Sequence, residues 1–187
     1  SDLMHRFFLI ALALLLSACG KPPVQSQEAF VFGTRVEVLV ADADVARAKS
    51  AAGAVLQEFD RLHRTYHAWQ PSELTALNEA IAAGKPHAVS KELAAYVMDA
   101  QRVAADGEHL FDPGIGGLIR IWGFQSDEFR PVLPDSAAVA AWRKAAPSIA
   151  DLHLEGRQIS SAKREVAVDF GGYLKGVALD RAAALLR

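Results

Sequence analysis

Cysteine is almost missing from this chain: there is one, Cys19, in 187 residues. No intramolecular disulfide can form, so the fold has to rest on its apolar core. Charge of one sign is missing too. Twenty Lys and Arg stand against 22 Asp and Glu, for a net charge of −2. Without a basic field or a block of like charges, neither nucleic-acid binding nor a charged interaction tail is expected. Neither G-x-x-x-x-G-K-[ST] nor G-x-G-x-x-G occurs, which removes a P-loop and the dinucleotide fingerprint of dehydrogenases. The N-terminal apolar run, Phe7 to Leu16, is shorter than the roughly 20 residues that span a bilayer. Internal repeats and low-complexity tracts are also absent. What remains is 51% hydrophobic and 22% charged, ordinary for one globular domain or slightly more.

The N-terminus carries the clearest local signal. Met4, His5 and Arg6 lead into the apolar run, which closes on Leu16-Ser17-Ala18-Cys19-Gly20. A charged start, an apolar core and small residues ending on a cysteine form a signal peptide of the bacterial lipoprotein type. In that pattern residues 1–18 are removed and Cys19 carries the lipid, each buried CH₂ contributing about 0.8 kcal/mol. The expected location is a bacterial membrane, lipid-anchored and facing the periplasm. The competing reading, a buried N-terminal helix with an incidental cysteine, lacks a polar helix face. Residues 19–28 contain Pro22-Pro23 and are polar, so they read as a tether. The domain then runs from 29 to 187.

Alternation from Thr34 to Val40 predicts a strand, with Gly33 as a bulge or a close backbone approach. Asp42 or Asp44 caps a long helix whose stripe is Val45, Ala48, Ala52, Val55, Leu56, Phe59 and Leu62. Ser72 opens a second helix (Leu74, Leu77, Ile81), and Ser90 a third (Leu93, Val97, Ala100, Ala104). Residues 107–124 read as a structured loop with a short helix, and Asp135 caps a helix through Lys144. Glu155-Gly156-Arg157 turns a hairpin. A strand over Glu165–Asp169 feeds a last helix to Arg187. That helix shows an apolar stripe (Ala178, Leu179, Ala182, Leu185, Leu186) with no C-cap signal, so the chain is expected to be the N-terminal part of a larger fold. Irregular mixing of strands, helices and hairpins predicts the α+β class.

Three segments carry candidate chemistry. In Val168-Asp169-Phe170-Gly171-Gly172-Tyr173-Leu174-Lys175-Gly176, paired glycines lead into a helix. Glycines admit close backbone approach, helix amides and dipole favour phosphate, and Lys175 adds a point charge. Asp169 can accept hydrogen bonds from a nitrogen-rich ring. The plainer alternative is a tight turn with an exposed lysine. Leu110-Phe111-Asp112-Pro113-Gly114 followed by Gly116-Gly117-Leu118 and Trp122-Gly123-Phe124 is an apolar, glycine-rich loop, able to form a wall for a flat ligand or simply a turn. Tyr66-His67-Ala68-Trp69 offers aromatic groups that can stack on a ring or close the core. His63 and His67 have a metal-compatible i, i+4 spacing, but with no third ligand they read as a solvated helix face.

Taken in order, Gly33-Thr34, Ser72-Glu73-Leu74…Leu77-Asn78, Phe111-Asp112-Pro113…Gly117-Leu118…Trp122-Gly123-Phe124 and Asp169-Phe170-Gly171-Gly172-Tyr173-Leu174-Lys175-Gly176 resemble the ApbE family of FAD:protein FMN transferases. The resemblance implies a mixed-sheet α+β flavin transferase fold, here truncated at the C-terminus. It implies Mg²⁺-dependent transfer of FMN from FAD onto a Ser or Thr of a membrane redox subunit. By motif position it assigns FAD contacts to Phe32, Trp69 (with Ala68 as rival), Leu110, Phe111, Asp112, Asp169 and Lys175. A metal contact falls to the Gly172 carbonyl, and Phe32 stands where the family commonly has Met. No catalytic base is assigned. A non-catalytic FAD-binding lipoprotein and an FAD pyrophosphatase are the alternatives.

Overall fold

The computed structural model describes residues 21–126, 128 and 133–187. The signal segment 1–18 and the lipidation of Cys19 lie outside the described residues. Two strands open the fold: β1 (Val24–Val31) pairs antiparallel with β2 (Thr34–Ala41), in a register running from Val24↔Ala41 to Val31↔Thr34. Phe32 and Gly33 form the two-residue turn, at φ 56° and 70°, the positive pair that a type I′ hairpin turn requires. Two expectations are thereby corrected. Residues 24–28 are strand rather than tether, and Gly33 turns a hairpin, with open space around it, rather than making a bulge or a close backbone approach. The polar reading of 24–28 misled because the inward face of β1 includes glutamines. One of them, Gln27, donates its Nε2 to the Lys49 carbonyl at 2.9 Å instead of packing as an apolar residue.

Helix α1 (Val45–Thr65) lies on this hairpin. Asp44 caps it by accepting the Arg47 amide at 3.0 Å. Its buried face is Ala48, Ala52, Val55, Phe59 and Leu62, the predicted helical stripe. Ser72 caps α2 (Glu73–Ala82) in a reciprocal box with Thr75. Ser90 caps α3 (Lys91–Asp106), whose Leu93, Val97, Ala100 and Ala104 are fully buried. The short helix α4 (Gly116–Ile121) sits in the glycine-rich loop, and α5 (Ser136–Ala145) starts at Asp135. A small antiparallel sheet has the order β3 (His87–Ala88), β5 (Gln158–Ser161), β4 (Leu152–Glu155). The β4–β5 turn falls at Gly156-Arg157, as predicted. Helix α6 (Tyr173–Leu185) packs back on α1. The α+β class holds. Among the described residues no helix is long and apolar enough to cross a membrane.

The expected strand over Glu165–Asp169 is not one. Among the described residues its only ladder contact is an isolated parallel bridge, Ala167 to Ile115. Buried backbone polar groups need partners, and here a side chain and a loop supply them. Asn78 grips Val168 on both sides: Oδ1 accepts its amide at 2.7 Å and Nδ2 donates to its carbonyl at 2.8 Å. The Asp169 amide donates to the Pro113 carbonyl at 2.8 Å, and the Gly116 amide to the Ala167 carbonyl at 2.7 Å. The last helix also differs from its predicted stripe. Ala178 is buried, whereas Leu179, Leu185 and Leu186 are exposed.

Candidate functional site

A partly open, largely aromatic-lined cavity forms where four local structures meet. The hairpin turn lifts Phe32 against Phe59 (centroids 6.0 Å apart) and against the edge of His63 (5.8 Å). Helix α1 ends at Tyr66, and His67 follows it, with its ring 4.9 Å from that of His63. The Nδ1 of His67 accepts the amides of Gln70 at 3.1 Å and Trp69 at 3.4 Å. This assigns the neutral-ring proton to Nε2. Trp69 stands edge-on to the same imidazole at 4.4 Å and is 41% exposed. Phe32, His63, Trp69 and Asp169 are among the residues that line this cavity, which is open to solvent on one side. Ala68 also lines the cavity, but Trp69 supplies the aromatic surface. The solvated-face reading of the two histidines is corrected. His67 is buried, because it lies past the helix end and is held in the loop that Ser72 closes by donating its hydroxyl to the His67 carbonyl at 2.7 Å.

The glycine pair borders this cavity. Asp169 Oδ1 accepts the Gly171 amide at 2.9 Å, an Asx-type turn that starts the helical curve. Its Oδ2 accepts from Gln125 Nε2 at 2.9 Å. The Leu174 amide is already taken by the Phe170 carbonyl at 2.8 Å. The amides of Gly172 and Tyr173 lack an acceptor among the described residues, so the first turn of α6 keeps unpaired donors and the positive end of its dipole. Lys175 is exposed on the same turn. A carboxylate beside a phosphate is unfavourable. The Asp169 side chain therefore suits the ring end of a ligand, and the α6 amides suit its phosphate end.

Helix α3 ends at Gly107, and Glu108 and His109 then adopt φ of 52° and 58°. Two successive left-handed non-glycine residues store strain of the kind found at ligand clamps. The loop leaves Leu110 94% exposed and brings Phe111 over the glycine pair, where a Cβ on Gly172 would lie 3.5 Å from its ring. Asp112 has another task. Its carboxylate accepts the amides of Gly114 (2.8 Å) and Ile149 (2.9 Å) and the hydroxyl of Ser148, bracing the loop from inside. The structure thus brings Phe32, Trp69 and Asp169 to one cavity, sets Phe111 and Lys175 by the adjoining turn, and turns Asp112 inward. Sequence reasoning missed His67 as a support of Trp69 and Gln125 as the partner of Asp169. A lone glutamine after Trp122-Gly123-Phe124 carries no signal. The histidine was visible only as a spacing.

The implied metal fits poorly with the residues at hand. Mg²⁺ seeks near-octahedral oxygen coordination. The resemblance supplies only the Gly172 carbonyl, and no group of three His, Cys, Asp or Glu side chains converges among the described residues. No step is derived through a metal.

Residues 32–187 match the model of the ApbE family. The chain is 38% identical to an FAD:protein FMN transferase of Rhodobacter capsulatus, over 87% of this chain and 31% of that protein. It is 30% identical to an FAD:protein FMN transferase of Vibrio cholerae, over 97% of this chain and 55% of the relative. In structure it resembles the ApbE protein of Thermotoga maritima, with a TM-score of 0.79 and 22% identity, over 88% of this chain and 52% of that one. It likewise resembles the flavin transferase ApbE of Vibrio cholerae, with a TM-score of 0.73 and 24% identity, over 88% and 54% of the two chains. At these identities the structural likeness shows a shared fold. The chain spans about a third of the first of these relatives and about half of the others.

Proposed function

This chain belongs to the ApbE family, and on that footing we propose that it forms the FAD-holding part of a protein that moves FMN from FAD onto a Ser or Thr of a membrane redox subunit. The observation that carries the proposal is the convergence of Phe32, Trp69 and Asp169 on one cavity beside the open first turn of α6. A planar ring of FAD enters between Phe32 and Trp69, and Asp169 accepts from its N–H groups. The pyrophosphate then reaches the amides of Gly172 and Tyr173, with Lys175 adding charge.

In the transfer itself, the acceptor hydroxyl oxygen attacks the phosphorus on the FMN side of the pyrophosphate. A phosphoester bond forms, the bridging P–O bond breaks, and AMP leaves. The hydroxyl proton passes to a base that the described residues do not identify. These residues bind and orient; they hold the phosphorus in place while charge develops on its oxygens. Dependence on Mg²⁺, location on the periplasmic face and anchoring through a lipid on Cys19 belong to the same proposal. The metal would need ligands beyond those described here.

The test is transfer by the full-length gene product. FAD and a candidate acceptor subunit are incubated with or without Mg²⁺, and the acceptor's mass is followed together with AMP release. A gain of one FMN per acceptor, stopped by chelation, supports the reading. Free FMN and AMP without acceptor labelling would assign a pyrophosphatase instead. Stoichiometric binding with FAD left intact would assign a carrier.

A further inference from the structure

We infer that Asp99 and Tyr173 are positioning residues that aim the first turn of α6 at the pyrophosphate. The inference rests on the flavin-transfer reading and adds two residues to it. Amides at a helix start bind an anion well only when their direction is fixed. Here the start is loosely made: two glycines precede it, and Gly172 provides no side-chain cap. Packing of Leu174 and Ala178 in the core places the helix as a whole, and side-chain ties at its first turn can refine the aim of the amides.

Tyr173, which follows Gly172, makes such a tie. The residue is 9% exposed, and its ring packs against Phe170 (centroids 5.0 Å apart) and Tyr96 (6.0 Å). Its hydroxyl donates to Asp99 Oδ2 on α3 at 2.8 Å, and Arg102 Nη2 donates to Asp99 Oδ1 at 2.7 Å. Burial, and then the Asp99 carboxylate, push the phenol above its usual range. The Arg102 and Tyr173 hydrogen bonds hold Asp99 below its own. Tyrosine therefore donates and aspartate accepts at any pH near neutrality.

A second tie lies two turns away. Arg181 Nη2 donates to Glu92 Oε1 at 3.1 Å, and Glu92 also accepts the Tyr66 hydroxyl at 2.6 Å. Glu92 and Asp99 are seven residues apart on α3, two turns along one face. Their partners Tyr173 and Arg181 are eight apart on α6. The two ties join α6 to one face of α3 at its first turn and two turns further on, adding to its packing on α1. Tyr66 lines the ring cavity, so α3 serves as a common reference for the ring end and the phosphate end of the site.

The test measures affinity of the full-length gene product for FAD, riboflavin and adenosine, the last two being the phosphate-free ends of the same molecule. Tyr173→Phe keeps the ring packing and removes the tie. Asp99→Asn keeps the shape and weakens it, which covers the case of a misfolded first variant. Tyr173→Phe is expected to weaken FAD about tenfold, the scale of one hydrogen bond to a charged group. Asp99→Asn is expected to weaken FAD less, and riboflavin and adenosine should be unchanged in both. Equal weakening of all three ligands would mean general loosening and overturn the inference, as would unchanged FAD affinity. Failure of the unaltered protein to bind FAD would instead sink the flavin reading itself.

Discussion

At the scale of single residues, His67 and Trp69 act as one unit. Nδ1 of the histidine gathers the amides of Trp69 and Gln70, and its ring supports the indole. His67→Phe preserves the bulk and strands two donors. It is expected to cost about 1–3 kcal/mol of stability, the penalty for groups left unpaired. It should also reduce the quenching of tryptophan fluorescence by FAD; an unchanged denaturation midpoint together with unchanged quenching would count against this role. Asp169→Ala and Lys175→Ala are each expected to weaken FAD, as calorimetric titration would read. Unchanged affinity in both would remove the ring-and-phosphate division of the site. Phe32, Trp69 and Asp169 were legible in the sequence because motifs in order named them. Gln125, His67 and Asp99 were not, because their roles depend on contacts across the fold. Asp112 was named by the same motifs, and the structure gives it bracing work that no linear pattern reveals.

At the scale of elements, local signals served the helices well. Asp44, Ser72, Ser90 and Asp135 all cap where their side chains allow, since capping needs only neighbours three residues away. Strands depend on distant partners. β1 was hidden by its glutamines, and 165–169 resembles a strand while Asn78 and the Pro113–Gly116 loop take its hydrogen bonds. The hairpin turn makes its own prediction. Gly33 sits at φ 70° with open space around it, so Gly33→Ala meets backbone strain alone. A loss of about 1 kcal/mol is expected from the denaturation midpoint; no loss would show that the turn relaxes. The hydrogen-bond cluster around Glu92 predicts a pH effect. Glu92 is held near pKa 2, chiefly by its hydrogen bond to Arg61, against an ordinary 4.5. A depressed carboxylate stabilises fully above the unfolded value and loses that contribution as pH falls from about 4.5 towards 2. Stability of the unaltered chain should fall more steeply over that window than stability of Glu92→Gln. Parallel pH profiles would contradict the assignment.

For the whole molecule, the hairpin, α1 and the start of α6 share one core, and the candidate site lies where their ends meet. The class was legible in the sequence, because α+β follows from element order. The cavity was not, because it arises from the angle at which a hairpin turn meets a helix C-terminus. The central claim is that these parts together hold FAD, ring in the cavity and phosphates at α6. The most direct test is calorimetric titration of FAD into the full-length gene product, with Trp69→Ala and Asp169→Ala beside it. Saturable one-to-one binding, weakened at least several-fold by each substitution, is the predicted result. Absence of saturable binding at high-micromolar FAD, or binding indifferent to both substitutions, would contradict the account.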